Sequence, residues 1–333
     1  MSDKYRIFGA EVSPYSVKVR SYFLYKKIPH EWVVRDSNSM GEYQRYAKLP
    51  IIPAVATPTG EGLQDSTPII ETMEQRVPEP SIHPPSDALR FLSELLEEFG
   101  DEWGNKWMFH YRWARDVDQE SAAGRIAALM MPDGSDEERT NMASAIRERM
   151  VSRGWVIGSN EQTAPIIEAS FESAMALLEA HFAERSFLFG GRPSFGDFGL
   201  WGQVYNAWTD PTPGDLLRAR FPSVCQWVDR MLDPVAVGEF ETWDALRPTL
   251  EPLLRQEVRS FLRWTDANAA AIESGATELS VDLDGHQWTQ AVGGPQKYHA
   301  KSFRELRRKY RLRESDQTLN AILEASGCLE YFA

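Results

Sequence analysis

Cysteine is nearly absent. Cys225 and Cys328 are the only two in 333 residues, they lie far apart, and no C-x-x-C occurs. That excludes a disulfide framework and a dithiol redox motif, and the natural compartment for such a chain is a reducing cytoplasm. The six histidines form no H-x-x-x-H or H-E-x-x-H pair and have no cysteine partners, so no metal is expected. No apolar run approaches the roughly 20 residues that span a bilayer, and the opening MSDKYRIFG has no signal-peptide core, so neither a membrane nor an export role is expected. Positive charge is also scarce. Lys and Arg number 36 against 49 Asp and Glu, a net charge of −13, which argues against nucleic acid as a partner. The one basic run, KYHAKSFRELRRKYRLRE from Lys297, reads as a solvated helix face balancing an acidic body.

Apolar residues are plentiful. A hydrophobic content of 42% against 26% charged is that of a soluble globular chain, and its length allows two or three cores. YRIFGA (5–10) reads as a strand, 14–27 as a helix and HEWVVRD (30–36) as a second strand. SNSMGEYQRYAK reads as a loop with one helical turn. A strand–turn–strand follows around Pro58, Gly60 and Gly62, then a helix over 67–77. This order makes a small α/β unit over 1–77. VPEPSIHPP has four prolines in nine residues and opens a linker over 78–87. Helical periodicity dominates 88–240, with one long helix or two over LRFLSELLEEFGDEWGNKWMFHYRW and others over 137–152, 166–184, 195–208 and 223–232. The remainder, 241–333, has a hairpin signal at Asp284-Gly285, helices near 298–312 and 316–326, and Gly327 placed to end the last one.

Three short stretches suggest chemistry. In SPYS, Ser13 and Pro14 mark a helix start, where Ser caps and Pro suits the first position. The same geometry offers free N–H groups, the positive end of the helix dipole and a hydroxyl, which together suit an anion such as a thiolate. In LPIIPAV, Pro53 enters a strand; a cis bond after Ile52 would turn the Ile52 backbone outward toward an extended peptide, whereas a trans bond would make it an ordinary edge proline. In QDSTPII, Asp65 and Ser66 precede a helix. They can serve as a plain cap, or can hold a zwitterionic amino-acid group, with Ser66 and the amides on its carboxylate and Asp65 on its ammonium. Farther on, Ser194 and Asp197 have capping-box spacing and are given a folding role. Gly196, Gly199 and Gly202 share one face of the helix that follows, so that helix must be held by close packing.

SPYSVKVR, IIPAV and QDSTPIIETMEQ, in that order and spacing, resemble the glutathione S-transferase family, as do FLFGGRPSFGDFGLWGQV and FPSVCQWVDRMLDP. The resemblance covers roughly residues 4–235 and is to serine-type, bacterial-like members, with a long C-terminal extension beyond the family's usual length. It implies a thioredoxin-like α/β domain followed by an all-α domain, with the extension as a further α/β piece. It implies glutathione as co-substrate, Ser13 as the hydroxyl that activates its thiol, with Tyr15 and Ser16 in reserve, and Ile52 and Pro53 against its cysteinyl part. Asp65 and Ser66 would hold the γ-glutamyl end. The usual residues upstream of the proline are replaced by AKLPII, which leaves Arg45 and Lys48 as candidates for the glycyl end. An electrophile would bind against DEWGNKWMFHYRW, with Trp107 and Tyr111 as an aromatic wall beside Trp103, Met108 and Trp113. His110 and Arg112 are placed in the core or on the surface. The implied activity is thiol transfer to an apolar electrophile, with ether cleavage or isomerisation as the alternative chemistry and a non-catalytic ligand-binding or assembly protein as the alternative class. A homodimer in the cytoplasm is implied by resemblance alone.

Overall fold

Aromatic and β-branched residues over Tyr5–Gly9 and His30–Val34 form strands β1 and β2, which run parallel with Ile7 opposite Trp32; the computed structural model describes residues 4–332. Helix α1 (Pro14–Tyr25) makes the crossover between them. The stretch expected to hold one helical turn is a longer helix, α2 (Met40–Tyr46); Tyr43 is its only buried residue, too little apolar signal to show as a period. Strands β3 (Ala54–Ala56) and β4 (Gly62–Gln64) are antiparallel, and β3 lies antiparallel to β1, giving the order β2-β1-β3-β4. Helix α3 (Ser66–Arg76) completes the thioredoxin-like unit.

After the proline-rich link, α4 (Asp87–Glu98) continues through a π-helical turn, Phe99–Gly104, into α5 (Asn105–Ala114). Helices α6 (Asp116–Met130), α7 (Asp136–Val151), α8 (Gly154–Ile157) and α9 (Ala164–Phe182) follow. Then come α10 (Phe195–Trp208), α11 (Pro211–Arg220) and α12 (Pro222–Arg230). Helix α6 is alanine-rich with few large apolar residues, and α11 starts on two prolines and a glycine, so neither carries an evident helical stripe. Helix α10 is the central one. Its capping box is closed by Ser194 and Asp197, whose carboxylate also accepts from Trp227 Nε1 at 3.0 Å. Its glycines admit the backbones of neighbours: a Cβ on Gly199 would meet the Glu97 carbonyl oxygen at 2.8 Å.

The extension comprises α13 (Trp243–Leu253), a π-helical segment Leu254–Val258, α14 (Arg259–Glu273), the hairpin β5 (Glu278–Leu283) and β6 (His286–Ala291), α15 (Gly294–Arg311) and α16 (Gln317–Ala325). Asp284 (φ 54°) and Gly285 (φ 90°) supply the two left-handed residues of a type I′ turn, and Gly327 (φ 70°) follows α16. Trp264, Trp288, Phe303 and Leu323 are fully buried and join the same apolar cluster as Phe99 and Trp103. The extension is therefore part of one core.

The basic run is not merely a solvated face. Lys309 pairs with Glu71 of α3 at 2.6 Å and Arg313 with Glu94 of α4 at 3.0 Å. The acids these cations meet are far away in sequence, so the run alone could not reveal them. Among the described residues, no helix is long and apolar enough to cross a membrane.

Candidate functional site

Ser13 sits where the chain leaves β1 and turns into α1. Its Oγ accepts from the Ser16 amide at 3.3 Å and from Ser16 Oγ at 3.0 Å. Both bonds use lone pairs of Ser13, and its own proton has no acceptor among the described residues. Ser16 is fully buried and serves to hold that oxygen.

The turn before Ser13 is gripped by the helical domain. Tyr205 donates to Glu11 at 2.6 Å, and Arg20 donates to both Glu11 oxygens. Arg112 Nη1 donates to the Val12 carbonyl at 2.9 Å, while its Nε donates to Asp210 at 2.7 Å. Arg112 is thus a buried anchor for the Ser13 turn. Its position in an aromatic helix almost 100 residues away gave no sign of that. Tyr15 points elsewhere: its hydroxyl donates to the Asp101 carbonyl at 3.1 Å. Burial, then the nearby Glu102 and Asp101 carboxylates, push its phenol well above the usual range, so it keeps its proton.

The Ile52–Pro53 bond is cis. Ile52 lies outside both ladders, which begin at Ala54. The preceding loop is latched by two side chains that sequence reading passed over. Gln64 accepts from the Lys48 and Leu49 amides at 3.0 Å and donates to Leu49 O and Ile51 O, and the Tyr43 hydroxyl reaches the same two carbonyls. The side chains of Arg45 and Lys48 are exposed on this rim.

Asp65 has φ 76° and does not cap α3 with its carboxylate. Its Oδ2 instead accepts from the hydroxyl of Tyr298, the fifth residue of α15. Ser66 is buried, and its Oγ accepts from Lys18 Nζ at 3.4 Å. Lys18 joins three elements. It is fully buried on α1, donates to Thr67 Oγ1 of α3 at 3.1 Å, and pairs with Glu97 at 2.5 Å and Asp101 at 2.6 Å. Burial disfavours its charge, but the two carboxylates prevail and raise its pKa. Burial, opposed by Lys18, pushes Asp101 up to about 8. The starts of α1 and α3 are thereby fastened to each other and to the helical domain.

The expected aromatic wall is core. Trp107 and Tyr111 are 1% and 2% exposed. Trp107 and Trp103 both donate to Ser170 Oγ, at 3.1 and 2.9 Å, and Trp103 packs on Trp264 and Trp288 of the extension. Trp107 and Tyr111 pack on Phe171 of α9. A helical aromatic stripe buries wherever a neighbour covers it, and here α9 and the extension do so. His110 is likewise buried, between Ser159 and Glu168. Two clefts, of about 280 Å³ between α14 and α15 and about 370 Å³ between α13 and α16, are lined by none of the candidate site residues. No group of three or more His, Cys, Asp or Glu among the described residues is placed to hold a metal ion.

The family model for the glutathione S-transferase N-terminal domain matches residues 7–81, and that for the C-terminal domain matches residues 141–230. No curated protein matches the chain. Among solved structures, a glutathione S-transferase from Methylobacterium radiotolerans, in complex with glutathione sulfonate, is 20% identical; the match covers 72% of this chain and 97% of that one, with a TM-score of 0.43. The beta-etherase LigF from Sphingobium sp. strain SYK-6 is 19% identical over 74% and 99%, with a TM-score of 0.47. A glutathione transferase from Phanerochaete chrysosporium is 14% identical over 72% and 100%, with a TM-score of 0.48. With both family models matched in order, on a thioredoxin-like unit followed by a helical domain, the chain belongs to the glutathione S-transferase family.

Proposed function

We propose that this protein binds glutathione and lowers the pKa of its thiol at Ser13, for attack on an electrophile. The observation that carries this reading is the state of the Ser13 hydroxyl. Its oxygen is fixed by two bonds from Ser16 at the start of α1, and its proton is left to donate. A thiol with a pKa of about 8.5 is only a few per cent ionised at pH 7, and lowering it by two units takes roughly 2.7 kcal/mol. A charge-assisted hydrogen bond contributes about 1.5–3 kcal/mol and a helix terminus up to about 2. Together they suffice without a metal or a histidine. The Ile52 backbone, outside both ladders, supports a peptide-pairing role, and Ser66 with Asp65 supports the γ-glutamyl end. Arg45 and Lys48 are the cations within the rim that suit the glycyl carboxylate.

Calorimetric titration with glutathione, combined with thiolate absorbance at about 240 nm against pH, tests this reading. Wild type should bind glutathione and depress its thiol pKa. Ser13→Ala should bind but leave the thiol at its ordinary value. Absence of binding by wild type would sink the proposal.

A second reading, a non-catalytic ligand-binding member, is favoured by one observation. Trp107 and Tyr111 are buried, so the helix expected to receive an electrophile offers no aromatic wall. Thiol activation without turnover on any apolar electrophile would support it.

A further inference from the structure

The extension reaches into the region assigned to glutathione. Tyr298 is the fifth residue of α15, 233 residues from Asp65 in sequence, and its hydroxyl donates to Asp65 Oδ2. Asp65 Oδ1 has no hydrogen-bond partner among the described residues. Tyr298 is 48% exposed, so the pair faces solvent and is open to a ligand. The neighbourhood is acidic. Lys18 Nζ touches both Ser66 Oγ, at 3.4 Å, and Asp101 Oδ2, at 2.6 Å, which brings the Asp101 carboxylate close to the start of α3. Asp101 Oδ1 is buried without a partner. Lys18 already answers the Glu97 and Asp101 carboxylates, so the carboxylate left on this rim for a ligand cation is Asp65.

Helix α15 is not a lid. Past Tyr298 it is fastened by Ser302, which donates to Glu98 at 2.6 Å, and by the Lys309–Glu71 pair at 2.6 Å. Phe303 and Leu306 are buried beneath it. The backbone at Tyr298 cannot swing away without unpacking the helix, so the phenol is held in place before any ligand arrives.

We propose that Tyr298, supplied by the C-terminal extension, is a binding residue of the γ-glutamyl subsite: its proton holds Asp65 Oδ2 while its oxygen lone pair and Asp65 Oδ1 together receive the ligand's ammonium. This rests on the reading that glutathione binds between Ser13 and Ser66. The polarity matches, because an ammonium only donates, and the pair offers acceptors, already oriented by one bond, for two of its three N–H groups. The extension then has a recognition role, and selectivity for a free α-amino group follows from it.

The test is calorimetric titration of the full chain with two probes, glutathione and its deaminated analogue glutaryl-cysteinyl-glycine. Wild type should bind glutathione more tightly than the analogue. Tyr298→Phe keeps the ring and removes the hydroxyl. It should weaken glutathione roughly tenfold and leave the analogue unchanged, as loss of one hydrogen bond to a charged group implies. Asp65→Asn should erase the preference in either background. The proposal is overturned if Tyr298→Phe leaves glutathione affinity unchanged, or weakens both probes alike. It is also overturned if the variant binds glutathione more tightly, which would make the phenol a competitor of the ammonium. If folded wild type binds neither probe, the glutathione reading itself fails, and this subsite with it.

Discussion

Gly202 lies directly against Pro14: a Cβ on Gly202 would come within 2.6 Å of the Pro14 carbonyl oxygen. The central helix α10 therefore touches the backbone of the first turn of α1, one residue from Ser13. An alanine in a helix ordinarily gains about 1 kcal/mol over glycine. At Gly202 the obstacle is backbone, which cannot rotate aside, so Gly202→Ala should destabilise by about 1–3 kcal/mol. Gly124, exposed in α6, has nothing within 4 Å of its Cβ position. Gly124→Ala should stabilise by up to about 1 kcal/mol. Urea unfolding of both variants checks the contrast; equal effects would show that the close approach carries no energy.

Ser13 has two roles that one substitution separates. Asp is as good an N-cap as Ser, so Ser13→Asp should unfold within about 0.5 kcal/mol of wild type, whereas Ser13→Ala should lose about 1 kcal/mol. A carboxylate beside a thiolate is a like charge and disfavours its ionisation. Bound glutathione should then titrate higher in Ser13→Asp than in wild type. A thiol pKa unmoved by Ser13→Asp would mean that Ser13 only caps the helix.

Much of this architecture is legible in sequence where local chemistry decides it. Ser13-Pro14, Ser194 with Asp197, and Asp284-Gly285 each act within four residues, and each stands where the pattern places it. What is not legible is long-range pairing. Arg112 looks like one more residue of an aromatic helix, yet it holds Val12 across 100 positions. Lys18 looks like a surface cation on an amphipathic helix and is fully buried between Glu97 and Asp101. The failure of the aromatic wall has the same origin. Spacing shows that Trp107 and Tyr111 have an apolar face to bury, but not that α9 provides the cover. Tyr298 on Asp65 needs the fold of the whole extension before the two residues meet.

Lys18 should be the costliest side chain to remove from this region. Lys18→Met leaves Glu97 and Asp101 buried without their cation, and breaking a buried pair in this way costs about 3–5 kcal/mol. The deficit should shrink as pH falls. With the cation gone, protonating the carboxylates relieves the uncompensated charge, and burial already pushes Asp101 up to about 8 with Lys18 in place. Denaturant midpoints of wild type and Lys18→Met at pH 5 and pH 8 measure this. A deficit that grows in acid would mean that the carboxylates do not depend on Lys18.

Lys106 supplies a test of how the extension is held. Its ammonium is buried, donates to the Ile157 carbonyl at 3.2 Å, and lies 3.6 Å from the ring centre of Trp264, with Trp288 at 5.5 Å and Trp103 at 5.7 Å. Two of those rings belong to the extension. Burial pushes Lys106 down to about 7, with Glu102 opposing. An unfolded lysine titrates near 10.4. Between those values the unfolded chain binds a proton that the folded chain lacks, so Lys106 makes stability rise with pH across that window. One proton corresponds to at most about 1.4 kcal/mol per pH unit. From pH 8 to 9.5, wild type should therefore gain on Lys106→Met by about 2 kcal/mol in urea unfolding. The window stops below pH 10 because the buried phenols of Tyr22 and Tyr205, both shifted upward, act in the opposite sense above it. If the two proteins run parallel over this range, Lys106 keeps its charge when folded, and the three indole rings hold a cation strongly enough to offset burial.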